Sequence, residues 1–265
     1  MRLASWLLLL LSCFSAAAQE QFDHGVPIAD PARPTVTNPA HIPPVGYVQF
    51  EQGALIGAET TDVDTQFSIA QTTKIALTHH VMVQVESQPW AHTQSHGFGQ
   101  DDTGDLLAGL QLVLSDLKEG HDVRPTVALA YTRRIRSGST PDLDVDGLSQ
   151  GGALLASGNL FGVHYDTNFL FNQVSGGVQF GQTLAVSGNI TKKYALSAEI
   201  WHFTQPDTGT DAIGTLWNGA YSIRPYLILD AGFNRGLTST SAHWYGFAGF
   251  TYLLPHRVWR GHKPG

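Results

Sequence analysis

The chain has 265 residues, with 15 Lys and Arg against 22 Asp and Glu and one cysteine. A net charge of −7 argues against nucleic acid as a partner, which needs a basic patch. Charged residues make up only 14% of the chain, against about 25% in ordinary globular domains, and glycine is abundant at 28 residues.

The first eighteen residues read as a signal peptide. Met1-Arg2 is a positive start, Trp6 to Leu11 an apolar run, and Ala16-Ala17-Ala18 a small-residue cleavage site, which together predict export through a bacterial inner membrane. Leu10-Leu11-Ser12-Cys13 also loosely resembles a lipoprotein box. Cleavage after Ala18 fits better and leaves a mature chain without cysteine, so without disulfides. Loss of Arg2 leaves 14 of the 15 basic residues against 22 acidic ones, a net charge of −8.

Residues 19–45 hold Pro27, Pro31, Pro34, Pro39, Pro43 and Pro44. That density forbids a helix or a central strand and predicts an extended N-terminal arm. Period-two alternation then begins and hardly stops. The segments are Gly46–Gly57, Asp64–Ile75, Val81–Ser87, Gly104–Leu117, Arg124–Arg136, Leu148–Ser157, Leu160–Asn172, Phe180–Ile190, Tyr194–Thr204, Ile213–Tyr221, Leu227–Asn234 and Ala242–Leu253. In Leu160–Asn172, Phe161, Val163, Tyr165, Phe169 and Phe171 oppose His164, Asp166, Asn168 and Asn172.

About twelve strands of such length suit tilted transmembrane β-spans. Connections sort with them. The short ones, Ser157–Asn159, Thr191–Lys193 and Ser222–Pro225, fall in the periplasmic set. The long polar ones, Gln88–Thr103 and Ser137–Gly147, fall in the outer set, while Lys118–Val123 is a moderately long periplasmic exception. Trp90, Trp201, Trp217, Trp244, Tyr131, Tyr226 and Tyr252 lie mostly near strand ends, as interface girdles do. The expected fold is all-β: one antiparallel up-and-down transmembrane barrel of residues 46–254, closed by pairing Ala242–Leu253 with Gly46–Gly57, with a basic tail from 255 to 265. A soluble two-sheet sandwich or a pair of small barrels is the competing architecture.

Three blocks carry a family resemblance. They are Asp102-Thr103-Gly104-Asp105-Leu106 with Arg124-Pro125 and Arg136-Ser137-Gly138; Tyr165–Asn168; and Arg224-Pro225-Tyr226 through Gly232 with Gly236-Leu237-Thr238. In this order they resemble an outer-membrane family named for a MetA-pathway of phenol degradation. The resemblance implies a barrel that moves small molecules, aromatic or hydrophobic ones among them, across the outer membrane, and it brings no catalytic motif. The chain departs from the usual pattern by continuing past its last strand through Pro255 to Trp259.

If the apolar face meets lipid, the polar face lines the interior. The candidate lumen residues are Glu51, Glu86, Asp105, Arg134, His164, Asp166, Asn168, Glu199, Asp230 and Asn234, with Arg235 after a register change. Charges there either line a water-filled pore or pair and plug a structural barrel. Metal is not expected. His92-x-x-x-His96 lies among Pro89, Gly97 and Gly99, and Asp142-x-Asp144-x-Asp146-Gly147 has Ala153 where a calcium loop needs Glu. No Gly-x-Ser-x-Gly elbow, dinucleotide loop or phosphate loop occurs, so no catalytic residue or cofactor is assigned.

The reading is a passive outer-membrane pore or uptake protein for small-molecule solutes. Its other partners would be membrane lipid, lipopolysaccharide and the barrel-assembly machinery. Alternatives are a closed structural or surface-interaction barrel and an outer-membrane lipid hydrolase.

Overall fold

The computed structural model describes residues 22–23, 25–33, 35–58, 63–115, 125–140 and 147–259. The signal peptide, Cys13, the 118–123 connection, the Asp142 to Asp146 run and residues 260–265 lie outside them. Among the described residues there is no helix, so none is long and apolar enough to cross a membrane.

Two strands of two residues, β1 (Phe22–Asp23) and β2 (Val26–Pro27), pair before the barrel begins. The barrel strands are β3 (Val48–Ala58), β4 (Thr65–Ala76), β5 (Val81–Ser95), β7 (Leu106–Ser115), β8 (Thr126–Arg136), β9 (Gln150–Leu160), β10 (Val163–Val174), β11 (Gly177–Asn189), β12 (Tyr194–Gln205), β13 (Thr210–Arg224), β14 (Leu227–Gly236) and β15 (Trp244–Leu253). Each pairs antiparallel with its neighbours, and β15 pairs with β3 from Trp244↔Ala58 to Leu253↔Gln49. These twelve strands form one closed sheet, in which every backbone donor and acceptor can be satisfied and no edge remains.

The remaining strand, β6 (Phe98–Asp102), departs from expectation. Gln88–Thr103 is not a polar loop: β5 runs on to Ser95, pairing with β4 as far as Gln94 on one side and with β6 on the other. His96 and Gly97 turn it with positive φ of 51° and 83°, the backbone of a type I′ hairpin. The connection placed at Ser157–Asn159 likewise lies three residues later. Phe161 and Gly162 make the turn, with φ of 52° and 84°, and Ser157 stands inside β9. A Phe-Gly turn carries none of the usual Asn-Gly or Asp-Gly signal.

Burial is inverted relative to a soluble fold. Leu184, Leu196, Ile200, Phe171 and Leu229 are large apolar residues exposed on the outside, while Gln49, Glu51, Lys74, Asn168, Glu199 and Asn234 are buried within. A continuous apolar belt of this extent is untenable in water and matches the lipid-facing band of a transmembrane barrel. Trp90, Trp217, Trp244 and Tyr131 are among its exposed aromatics. Trp201 is not: it is 1% exposed and points into the lumen, two residues along the same face from Glu199.

Leu184, near the middle of β11, tests which side meets lipid. Leu184→Arg should destabilise the barrel by about 2–4 kcal/mol at mid-depth in a bilayer. Urea titration of protein refolded into liposomes, followed by heat-modifiable gel mobility, reads that loss.

Candidate functional site: the filled barrel lumen

The interior of the barrel is occupied by the chain's own N-terminal segment. Entering beside the β13–β14 turn, where the Ala29 N–H donates to the Pro225 carbonyl at 2.9 Å, it rises along β3. The Asp30 N–H donates to Gln49 Oε1 at 2.9 Å, and Gln49 Nε2 donates back to the Asp30 carbonyl at 2.6 Å. Residues 36–38 cross to the opposite wall, and 39–46 descend until the Gly46 N–H donates to the Ala76 carbonyl at 3.1 Å. The path is a re-entrant loop, up one wall and down the other. Five of the six arm prolines are among the described residues. They suit this path because it needs little regular backbone pairing.

The wall holds the loop mainly through its backbone. Glu199 is the densest anchor. Its Oε2 accepts the Val36 N–H at 3.0 Å, and its Oε1 accepts the Thr37 N–H at 2.8 Å and the Thr37 hydroxyl at 2.6 Å. Asn168 grips both sides of one peptide position: its Oδ1 accepts the Asn38 N–H at 2.6 Å, and its Nδ2 donates to the Asn38 carbonyl at 2.8 Å. The Ser157 hydroxyl accepts the Ala40 N–H at 2.7 Å. Gln111 Nε2 reaches the carbonyls of Pro39, Ala40 and His41 at 3.0–3.3 Å.

The other expected lumen residues divide by position. Glu51 is 1% exposed and ion-paired with Lys74 at 2.6 Å. It also accepts from Gln49 Nε2 at 2.8 Å and from the Ala32 N–H at 3.4 Å. Glu86 accepts from Gln84 Nε2 at 2.7 Å. Asp166 accepts the Ser157 hydroxyl at 2.5 Å and lies 3.3 Å from His164 Nε2. His164 Nδ1 lies 3.2 Å from Asn159 Oδ1. Asn234 is fully buried and accepts Trp201 Nε1–H at 2.8 Å. Asp230 faces Arg33 of the loop at 3.8 Å.

Asp105 and Arg134 sit apart, at the rim away from the chain termini, where they bond each other at 3.1 Å. Asp105 also accepts the Gly138 N–H at 2.7 Å, tying down the β8–β9 loop rather than lining the mid-barrel. Arg235 faces outward and donates to the His243 carbonyl at 3.0 Å. Near the terminal end, burial pushes the Asp30 carboxyl above the ordinary carboxylate range, opposed most by His41 and Lys74. No group of three or more metal-ligating side chains occurs among the described residues.

Above the loop tip the lumen turns apolar. Trp201, Phe203 and Ala212 cluster with Val36 and Leu170, and Leu216, Ala242, Tyr245 and Phe247 with Leu55. The Trp201 and Phe203 rings lie 5.9 Å apart. Each covers a glycine on the paired strand, Gly214 and Gly181, where any Cβ would collide with the ring. Alternation already marks Trp201 as inward, because it shares the parity of Glu199. Its place near a strand end suggested the girdle instead. Arg33, Thr37, Gln111 and Ser157 carried no sequence signal, since each acts only once the loop is inside.

A closed twelve-stranded antiparallel barrel with an apolar outer belt and a polar, partly aromatic interior is the fold of outer-membrane channels and porins. No family profile and no curated protein sequence matches the chain. Among solved structures, a COG4313 outer membrane channel from Pseudomonas putida F1 is similar at a TM-score of 0.58 and 12% identity, covering 85% of this chain and 99% of the channel. KdgM porin is similar at 0.53 and 10% identity, and NanC porin at 0.51 and 8%; each comparison covers 77% of this chain and 98% of the porin. The likeness is one of fold.

Removing the main anchor should free the loop. Three donors to one carboxylate, at a net 1–3 kcal/mol for such bonds, make a loss of about 2–4 kcal/mol reasonable for Glu199→Ala. The released population should then rise roughly thirty- to a thousandfold. Maleimide labelling of Pro39→Cys in a background lacking Cys13 measures that rise, and Glu199→Gln, which keeps an acceptor oxygen, should show less of it.

Proposed function

We propose that this chain is an outer-membrane channel that passes small molecules passively, and that the N-terminal loop restricts its lumen. The observation that carries the reading is how the wall uses its polar groups. A barrel built only as a scaffold can fill itself with wall side chains that meet one another. Here Glu199, Asn168, Ser157 and Gln111 instead bind the backbone of an N-terminal segment that pairs with no barrel strand. The likeness of fold to a channel and two porins supports the same reading.

The cleavable signal peptide, the outer-membrane location and the family named for phenol degradation belong to this proposal, as do lipid, lipopolysaccharide and the assembly machinery as partners. The inward residues Glu51, Glu86, His164, Asp166, Asn168, Glu199, Asp230 and Asn234 form the channel wall, with Asp105 and Arg134 at its rim. The aromatic stretch of Trp201, Phe203, Tyr245 and Phe247 favours aromatic or hydrophobic solutes, because stacking and dry contact would hold such molecules there.

Planar-bilayer recordings test this directly. The intact protein should give small or intermittent conductance, and a variant lacking residues 25–45 should give steps several-fold larger, since the barrel sheet itself stays whole. Silence from both proteins, with no solute flux in liposomes, would sink the channel reading and leave a closed structural barrel.

A further inference from the structure

The inward carboxylates of the wall differ in how they are served. Glu51 has Lys74 and Gln49, Glu86 has Gln84, Asp166 has Ser157 and His164, and Glu199 has the loop backbone. Asp230 is the exception. Its side chain is 2% exposed, and neither of its oxygens receives a hydrogen bond. Arg33 faces it, but Nη2 stands 3.8 Å from Oδ1, beyond hydrogen-bonding reach, and Arg33 Nε is itself buried without a partner.

The wall beside Asp230 is bare. Asp230 on β14 is the register partner of Gly249 on β15, and Gly249 is the partner of Gly53 on β3. The Arg33 guanidinium lies over both glycines: a Cβ at Gly53 would collide with it outright, and one at Gly249 would come within 2.9 Å of Nη2. Two residues along the same face from Gly249, Thr251 Oγ1 is also buried and unpartnered. The result is a flat, side-chain-free floor, a carboxylate with open acceptor positions at its edge, and a hydroxyl nearby. A buried carboxylate left without donors is costly, and a planar cation with several N–H groups is what this shape and charge would accept.

We propose that Asp230, with the Gly53–Gly249 floor and Thr251, is a binding station for a guanidinium-type group on a passing solute, and that Arg33 rests there as a stand-in which the solute displaces. This rests on the channel reading and narrows it: the station selects small organic cations. The charge of the wall agrees, since Glu51, Glu86, Asp166, Glu199 and Asp230 face inward against Lys74, while Arg134 is paired with Asp105 at the rim.

The test is chemical rescue on the full-length protein in detergent, where conduction plays no part. Arg33→Ala vacates the floor and leaves Asp230 in place. Methylguanidinium should bind this variant saturably by calorimetry and raise its Tm. Binding should be at least tenfold tighter than to Arg33→Ala/Asp230→Asn. Tetramethylammonium, a cation without N–H donors, should bind at least tenfold more weakly than methylguanidinium. Gly53→Ala added to Arg33→Ala closes the floor without touching either charge and should weaken methylguanidinium comparably, with gel mobility checking that each variant still folds. Equal binding with and without Asp230, or equal binding of the two cations, would overturn the station. Rescue without bilayer conductance would keep the station and sink the channel; conductance without rescue would do the reverse.

Discussion

In hydrocarbon a peptide group that finds no partner costs several kcal/mol, and no water is present to supply one. For a chain of strands the way out is to close the sheet, and here the ten register pairs between β15 and β3 do so. Everything else follows from that closure. Once the sheet is a cylinder, each strand has one face toward lipid and one toward the lumen. The same alternation that would bury leucine in a soluble sandwich then turns Leu184 and Leu196 outward and Glu199 and Asn168 inward.

Closure creates a second problem, a polar interior that must be hydrated or filled. The chain fills much of it with its own residues 29–33 and 35–46. Because the loop is proline-rich, its backbone groups are unused by regular structure, and the inward carboxylates, amides and hydroxyls satisfy them. A carboxylate that accepts three donors, as Glu199 does, holds a loop tip more firmly than apolar contact would. Yet it holds it through few points, so the same arrangement allows release. Tail residues Arg257 and Val258 close over the base. The Val258 N–H donates to the Gly46 carbonyl at 2.8 Å, and the Arg257 guanidinium sits 5.4 Å from the Tyr47 ring. The loop is thus fastened where it enters β3.

The lumen is also uneven along its length. Toward the loop end it is aromatic, with Trp201 and Phe203 seated over glycines. Lower down it is charged, with Lys74–Glu51 and the Arg33–Asp230 facing pair. In the proposed channel a solute would meet the aromatic surface first and then the Arg33–Asp230 pair over the Gly53–Gly249 floor.

Much of the architecture was legible without coordinates. Period-two alternation from residue 46 to residue 253 depends only on the geometry of a strand, so the twelve spans, their two faces and the closing pair could be read directly. Turn positions were less secure, because a Phe-Gly pair at positive φ and a strand that runs on through a polar stretch leave no compositional mark. What tertiary structure alone decided was the fate of the arm and the partners of each inward residue. Proline density excludes helix and central strand but says nothing about where an extended segment rests. Arg33, Thr37 and Gln111 acquire meaning only when closure brings residues seventy or more positions apart across one lumen. Asp230 could be placed on the polar face by its parity. That it stands beside two glycines on neighbouring strands, with no donor in reach, depends on register, which is set by the pairing of whole strands rather than by any local run of residues.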